Sequence, residues 1–363
     1  MFYGRLAIED ILKLLLYHEM QSHKVPSVSI FLPMEQEMFS GFFSILNQYS
    51  NLHIAQLLYM IKNPAVFENI GFHNLKVLSH VLPLLLTTTA NYHIYYTYND
   101  FAPVPETTTG FPYYILFSDF VVLLSPDLDN AWLEDSPPLV SFLQKRFDLL
   151  TKQSQKLSVQ FKNAVSYLEK SISLYANTYF NYSLEYQPCL LPFMSRELLN
   201  SLVNPNLPGK EYIIELVSDS ARQFHSLEKN IILFAEKGLD EFAENGVILN
   251  IPAEYGRPCT PEERAFLLRR IEEACESDKI AVRCINPTNL SIEKQLYLSL
   301  QKSKEVSFFS YNADKDEFRF TGICENTIYA AFSDFVEYML NSDLVYSREE
   351  TLEIIRKRLE LLG

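Results

Sequence analysis

Two histidines and a glutamate near the N-terminus have the residue types of a zinc-protease helix. His18 is followed directly by Glu19, and the next histidine is His23. That chemistry requires two histidines four residues apart, so that both rings lie on one helical face. Here the spacing is five, and a helix turns by ~100° per residue, which separates the rings by ~140°. The spacing therefore argues against a metal site on this helix.

The cysteines lack the short paired spacings that are typical of structural zinc sites. They are odd in number and irregularly spaced, at Cys189, Cys259, Cys275, Cys284 and Cys324. In a chain of this size without a secretion signal, such cysteines are interpreted as free cytosolic thiols. Cys189 lies between two prolines without an adjacent base, so we expect no nucleophile there. The sequence also contains no Walker loop, no GxGxxG and no GxSxG.

Two acidic turns begin like calcium-binding loops, at Asp127 and at Asn312. A calcium loop requires Gly at its sixth position and a bidentate Glu at its twelfth. The corresponding positions hold other residues, namely Trp132, Pro138, Glu317 and Ile323. We therefore predict solvated turns, and neither a metal site, a bound cofactor nor a set of catalytic residues.

Tyrosines are the candidate ligand-binding residues of this chain. Rings with a polar tip can line an apolar pocket that holds a few polar groups. A buried core with satisfied hydroxyl groups is the alternative for the same residues. The candidates lie in two tyrosine-rich runs, at Tyr92, Tyr95, Tyr96, Tyr98, Tyr179 and Tyr182.

Composition excludes several classes of protein. The 363 residues carry a net charge of −14, with −7 in residues 1–150, so no basic module stands out. Such acidity repels phosphate backbones, and we expect no direct nucleic-acid binding. The longest apolar run, 77–86, is far shorter than the ~20 residues of a spanning helix, and no signal peptide is apparent. We therefore predict a cytoplasmic protein without membrane contact.

The first 86 residues are predicted to be mostly helical. Apolar residues recur at helical spacing, and prolines punctuate the pattern. The predicted helices span residues 6–23, 34–49, 52–61 and 74–86.

The pattern then changes to strands, and residues 111–150 are the most readable segment. Tyr92–Tyr98 is aromatic and alternating, as in a strand. After a loop at 102–110, the apolar runs 111–117 and 120–125 predict two strands joined by Ser118 and Asp119. A short third strand precedes a helix that starts at Ser136, with Pro137 at its first position. Its predicted buried face consists of Leu139, Phe142, Leu143, Phe147 and Leu150.

The rest of the chain alternates between helices and strands. A long connecting helix is predicted at 158–182, and a capping box at Thr260–Glu263 opens another helix. The other predicted helices span 195–202, 209–225, 237–245, 261–276, 325–340 and 348–362, the last with a capping box at Ser347 and Glu350. The predicted strands span 247–251, 280–285, 295–300, 306–311 and 317–322, with a turn at 312–316.

These elements predict an α+β or mixed α/β protein in four parts. They are a helical segment (1–86), a first sheet-plus-helix unit (87–157), a connecting helix (158–190) and a second α/β unit (191–363). Residues 92–150 and 295–340 both run through strands into a helix with a central Phe. This similarity indicates a degenerate internal duplication.

Three segments carry a resemblance to a known group of proteins. Residues 111–150, 237–271 and 331–362 are similar to the effector regions of bacterial helix-turn-helix transcriptional regulators. Some of those regions resemble degenerate halves of phospholipase-D-like enzymes. The active enzymes carry His-x-Lys, and none of the seven histidines here is followed two residues later by Lys. The regulators' DNA-binding module is not apparent at the N-terminus.

The resemblance implies a non-catalytic sensor or effector region of a transcriptional regulator that lacks its DNA-binding module. The expected partners are a small-molecule or peptide effector and a second copy of the chain, in a homodimer. Two alternatives stay open. A protein-interaction scaffold would show a large exposed apolar patch, and an enzyme with an unrecognised site would bring histidines and carboxylates into one cavity.

Overall fold

The chain divides into two compact units in its computed structural model, Met1–Val159 and Gln160–Gly363. The structure describes residues 1–32, 39–46, 48–62, 73–88, 90–98, 110–161, 165–166, 169, 180–249, 251, 253–277, 280–294, 297–301, 305–312 and 317–362.

In its described residues, the first unit combines four helices with a mixed sheet. The helices are α1 (Arg5–Ser22), α2 (Ser40–Leu46), α3 (His73–Thr87) and α4 (Pro137–Gln153). The strands are β1 (Phe2–Tyr3), β2 (Ser27–Phe31), β3 (His53–Met60), β4 (Asn91–Tyr98), β5 (Tyr113–Leu116), β6 (Val121–Leu124), β7 (Asn130–Glu134) and β8 (Gln155–Lys156).

The sheet of the first unit has the order β1-β7-β6-β5-β2-β3-β4-β8. Its strands β2, β3 and β4 are parallel. The strands β5, β6 and β7 form an antiparallel meander that joins the parallel group through β2. Both faces of β5 are buried, which explains its unbroken apolar sequence.

The second unit has six α-helices and seven strands in its described residues. The helices are α5 (Arg196–Leu202), α6 (Lys210–Ser226), α7 (Glu236–Asn245), α8 (Pro261–Glu276), α9 (Asn326–Leu340) and α10 (Arg348–Leu362). The strands of its sheet are β9 (Ser158–Phe161), β10 (Phe180–Glu185), β11 (Lys229–Ala235), β12 (Ile280–Ile285), β13 (Tyr297–Gln301), β14 (Glu305–Asn312) and β15 (Glu317–Ile323). A short 3₁₀ helix, Leu191–Phe193, precedes α5.

The two sheets share one topology. The second has the order β12-β11-β10-β13-β14-β15-β9. Its β10, β11 and β12 are parallel, and the meander β13-β14-β15 joins them through β10. This order repeats β4-β3-β2-β5-β6-β7 of the first sheet, strand for strand and direction for direction. The protein is therefore a mixed α/β protein built from two sheet-plus-helix units.

The duplication runs through different strands from those we predicted. In both units the meander is followed by a helix, α4 in one and α9 in the other. Tyr92–Tyr98 belongs to β4 of the parallel group instead, and its counterpart is β12. The repeat therefore covers more of each unit than residues 92–150 and 295–340.

Local sequence signals set several helix boundaries as predicted. The Thr260 hydroxyl accepts from the Glu263 backbone N–H, and the Glu263 carboxylate accepts from the Thr260 N–H. Ser347 and Glu350 form the same reciprocal pair at the start of α10. Gly246 ends α7 at a φ of 72°, where a Cβ would meet the Cys259 carbonyl oxygen at 2.2 Å.

The predicted helix at 52–61 is wrong, because residues 53–60 form β3. This strand lies between β2 and β4 in the parallel group. One of its faces is buried throughout, whereas the other buries only Leu57, between the exposed His53 and Tyr59. Leu57 and Leu58 are thus buried on opposite faces, which interrupts the alternation of a half-buried strand. Together with β2, this strand corrects the prediction that residues 1–86 are mostly helical.

The predicted connecting helix at 158–182 is wrong at both ends. Residues 158–161 form β9, and β10 begins at Phe180. Polar residues alternate with Tyr182 and Leu184 along β10, which is the period of a strand. Most of 162–179 lies outside the described residues.

The predicted strand at 247–251 is also wrong, and the strand β11 was missed. Residues 247–249 run without strand pairing. The Gln187 side-chain amide donates to the Val247 carbonyl and accepts from the Leu249 N–H, at 2.9 and 3.0 Å. The Gln187 side chain thus makes the hydrogen bonds to this backbone that a neighbouring strand would otherwise make.

Other predictions are partly confirmed. Leu143 and Phe147 lie on the buried face of α4, but Phe142 is 61% exposed and Val140 is buried instead. Within the predicted helix 34–49 the structure describes α2 only. The predicted loop 102–110 and turn 312–316 lie almost entirely outside the described residues.

The core of the second unit is formed from its own helices and strands. Phe234 and Val282, from two parallel strands, are fully buried with Phe242, Leu267 and Ile355 from three helices. Across the residues that the structure describes, no helix combines the length and the apolar character needed to cross a membrane.

Candidate functional site

A cavity of about 840 Å³ lies within the second unit. It opens between α6 and α8 at the amino ends of β11 and β12, and the 3₁₀ helix forms a third wall. Its volume falls in the range of small-molecule sites, ~300–1,000 Å³. In open α/β sheets, ligands usually bind at the carboxyl ends of the strands, so this cavity lies at the opposite end.

The inner surface of the cavity is apolar. Its apolar side chains come from every wall, and they are Phe193, Met194, Ala221, Leu227, Ala274 and Ile280. All except Leu227 are at most 9% exposed. This surface can hold an apolar body by removing it from water.

His225 fixes one wall of the cavity. Its Nε2 lies 2.8 Å from the Pro192 carbonyl oxygen, so this nitrogen carries the proton and donates. The ring also makes edge contacts with Phe193 and Phe224, at centroid distances of 5.9 and 5.6 Å. These contacts tie the 3₁₀ helix to the end of α6.

Three arginines lie at the rim, and each pairs with a carboxylate. Arg270 lies 3.0 Å from Glu273, Arg222 pairs with Asp219, and Arg196 lies 3.8 Å from Glu211. The arginine side chains are 54%, 77% and 55% exposed, respectively, so these pairs are weak and an incoming anion can compete.

The rim is balanced in charge, unlike the chain as a whole, whose net charge is −14. Each arginine is matched by one carboxylate, and of the three carboxylates only that of Glu273 lines the cavity. The cavity therefore meets three guanidinium groups and one carboxylate directly, so an anionic group at the mouth finds more donors than competing anions.

Asn230 supplies a buried polar group to the same cavity. The residue is 2% exposed, and its Nδ2 donates to the Phe224 carbonyl at 3.1 Å. That bond fixes which side of the amide carries the oxygen. The Oδ1 atom has less than 1 Å² of surface open to water, and it has no hydrogen-bond partner among the residues that the structure describes. Asn230 thus holds an unsatisfied acceptor directly behind the apolar lining of the cavity.

The hydroxyl groups of two serines in the lining are already engaged. The Ser195 Oγ accepts from the Leu198 backbone N–H at 3.2 Å, and the Ser218 Oγ donates to the Ile214 carbonyl at 2.7 Å. With the His225 Nε2 donating to a carbonyl, these groups form no nucleophile–base pair. The arrangement is suited to binding.

A second, smaller cavity of about 190 Å³ lies beside the segment 247–258. Its lining is apolar except for Arg257, which binds the Glu263 carboxylate through two nitrogens, each at 2.7 Å. That pairing leaves no open polar group of the kind found at Asn230.

The predicted tyrosine site falls in both units. Tyr92 and Tyr96 are buried in β4, where their hydroxyls donate to Gln56 and, at 2.6 Å, to Gln155. Tyr95 and Tyr98 are half-buried on the same strand. Tyr179 lies outside the described residues.

Tyr182 lies in the second unit, on β10. Its hydroxyl donates to the Glu337 carboxylate at 2.5 Å, and the Lys229 ammonium lies 5.2 Å from its ring centre. Burial raises the pKa of this phenol, and Glu337 raises it further. None of the described tyrosines among the candidates lines either cavity above.

The cysteines have the properties of buried apolar residues. Cys259, Cys275 and Cys284 are buried, and burial raises the pKa of each thiol, that of Cys259 to about 11. Burial and the neighbouring Glu185 carboxylate also raise the pKa of Cys189. A raised pKa keeps the thiol protonated and weakly nucleophilic.

Comparisons with known proteins leave the chain without an assigned family. No protein-family model and no curated protein matches it. Among solved structures, it is similar to TrmBL2, an archaeal chromatin protein with a novel mode of DNA binding, at 8% identity and a TM-score of 0.28. It is also similar to the polyphosphate kinase of Porphyromonas gingivalis, at 9% identity and a TM-score of 0.27.

These alignments are partial. The first covers 58% of this chain and 62% of TrmBL2, and the second covers 96% of this chain and 53% of the kinase. The chain therefore spans less than two thirds of both.

Sequence reasoning missed the residues of the large cavity. Asn230 belongs to the strand KNIILFA, whose apolar run should have indicated a buried strand with a polar residue near its start. The arginines gave no comparable signal, because they lie 26 and 48 residues apart along the chain.

Proposed function

We propose that this chain is a non-catalytic ligand-sensing region of a transcriptional regulator, and that the large cavity binds its small-molecule effector. The observation that carries the proposal is the cavity itself, with its apolar interior, its rim of exposed arginines and the unsatisfied Asn230 acceptor behind its lining. The resemblance of residues 111–150, 237–271 and 331–362 to regulator effector regions supports the regulatory role.

A thermal-shift screen of a small-molecule library tests this function. A ligand at about 100 times its Kd should raise the Tm by ~5 °C, because it stabilises the folded state alone. Ala221→Trp fills the cavity and should abolish the shift. Glu215→Trp, at an exposed position on the same helix, should leave it unchanged. A library that yields no shift sensitive to Ala221→Trp would contradict the proposal.

The proposal includes a cytoplasmic location and a homodimer. Five free cysteines suit a reducing compartment. Light scattering on the purified protein tests the homodimer, and a mass of one chain across the micromolar range would exclude it.

An interaction scaffold is the second candidate, and the exposed face of α1 favours it. Leu6, Leu14 and Tyr17 are 80%, 64% and 61% exposed, and at ~100° per residue they share one face. Leu14→Glu should weaken any complex formed through this face. Ser141→Glu introduces the same charge at an exposed position of α4 and should leave the complex unchanged.

A further inference from the structure

We infer that the cavity of the second unit selects an organic carboxylate that carries a hydrogen-bond donor at the end distant from the charge. This inference rests on the proposed function and specifies its ligand. It follows from two kinds of polar group, arginines at the mouth and one buried acceptor behind the lining.

The acceptor determines the inner end of the ligand. A buried carbonyl oxygen without a donor destabilises the protein by ~1–3 kcal/mol. The Asn230 Oδ1 is such an atom, because the Nδ2 of the same side chain is held by the Phe224 carbonyl. Because Oδ1 has less than 1 Å² of surface open to water, a hydroxyl or N–H of the ligand satisfies it by displacing a neighbouring side chain of the lining. An ether or a methyl group at the same place does not.

The arginines determine the outer end. Arg222 and Arg270 each contact a carboxylate on their own helix, three residues away, through one terminal nitrogen. A guanidinium has five N–H donors, so further donors remain for a ligand carboxylate. The partial exposure of both side chains places this end near water.

The apolar walls determine the middle of the ligand. Phe193, Met194 and Ile280 line the same cavity and offer no hydrogen bond from their side chains. An aromatic ring or a short alkyl chain fills such a space. A free sugar or an inorganic anion would leave the walls without an apolar partner.

Matched probes test the two ends separately by titration calorimetry. The first is 3-(4-hydroxyphenyl)propionate. Its homologues with one and three methylenes are used as well, because they vary the distance between the carboxylate and the hydroxyl group. The second is the 4-methoxy acid, which keeps the charge but lacks the donor. The third is the 4-hydroxy primary amide, which keeps the donor but lacks the charge. We expect the hydroxy acid to bind about tenfold more tightly than either analogue.

Variants link the preference to named residues. Asn230→Leu should reduce the hydroxy/methoxy ratio to about twofold or less, whereas Asn181→Leu should leave it unchanged. Asn181 is buried beside Asn230 in the register of β10 and β11 but does not line the cavity. If Asn230→Leu does not fold, the hydroxy/methoxy ratio on the unaltered protein decides.

The charged end has its own control. Arg270→Gln should weaken the acids about fivefold and leave the amide unaffected, because only the acids carry a charge. Arg269→Gln removes the same charge from the neighbouring position on α8, which is exposed and outside the cavity, and should change binding less than twofold.

The outcomes separate this inference from the proposed function. If library compounds bind in a manner blocked by Ala221→Trp but the hydroxy acids bind no better than their analogues, the ligand class is wrong and the sensing function stands. If neither compounds nor probes respond to Ala221→Trp, both are wrong.

Discussion

Glu19 and Asn230 are both buried polar residues, but their hydrogen bonding differs. The Glu19 carboxylate, 1% exposed, accepts from the Ser27 N–H and from both the N–H and the hydroxyl of Ser118, at 2.6–2.9 Å. Its bonds join the end of α1 to β2 and to the β5–β6 turn. Asn230 has an acceptor left open. Glu19 is therefore assigned to stability and Asn230 to binding.

Removing the Glu19 carboxylate should destabilise the first unit. Glu19→Ala removes the acceptor of the Ser27 N–H and of the N–H and hydroxyl of Ser118. This loss should lower the free energy of unfolding by about 3 kcal/mol. Asp10→Ala on the same helix removes a carboxylate that is 76% exposed and should cost at most about 0.5 kcal/mol. Urea denaturation measures both, and equal effects would refute the assignment.

The hydrogen-bond partners of Glu19 could not be predicted from the sequence. The spacing argument placed His18 and His23 on one helix, but α1 ends at Ser22 and His23 lies beyond it. It also said nothing of where Glu19 points. Its partner Ser118 lies 99 residues away along the chain, and only the fold brings the two together. The same is true of Asn230 and the arginines of the cavity rim.

At the scale of elements, local signals were predictive wherever the stabilising contacts are also local. The capping boxes of α8 and α10 were predicted because both partners lie within four residues. The strands β3 and β11 were not, because their apolar runs fit a helix as well as a buried strand, and their neighbours in the sheet come from distant segments.

The capping box of α8 should make stability depend on pH. The Arg257 guanidinium is the main cause that lowers the pKa of the Glu263 carboxyl to about 2. A lowered pKa stabilises the fold above the unfolded-state pKa of ~4.3, and this contribution is lost as the pH falls through the folded-state value.

Glu263→Gln should therefore destabilise the protein by about 2 kcal/mol at pH 7, after an allowance for the partial exposure of Arg257. The difference from the wild type should be constant above about pH 5 and should vanish near pH 2. Chemical denaturation across this range measures it. A difference that does not change with pH would show that the lost stability comes from packing.

At the scale of the whole molecule, the two units share a topology but differ at the position of the cavity. At the amino ends of β3 and β4, which correspond to β11 and β12, the Asn91 side chain lies 3.1 Å from the His53 Nδ1. Polar groups pair with each other there. In the second unit the corresponding region holds an open acceptor and the cavity.

The second unit should fold and bind by itself. Its core is drawn from residues within the unit, and the cavity is lined by residues 192–280. A fragment of residues 157–363, which keeps β9, should melt cooperatively and bind 3-(4-hydroxyphenyl)propionate within about threefold of the full chain. A folded fragment that does not bind, beside a full chain that does, would show that the site needs more than this unit.

The cavity between α6 and α8 is the proposed ligand site of this protein. A crystal structure of the protein with 3-(4-hydroxyphenyl)propionate tests this proposal. We predict the ring between Phe193 and Ile280, the carboxylate against Arg222 or Arg270, and the phenol oxygen ~2.8 Å from the Asn230 Oδ1. An empty cavity with the compound bound elsewhere would contradict the proposal.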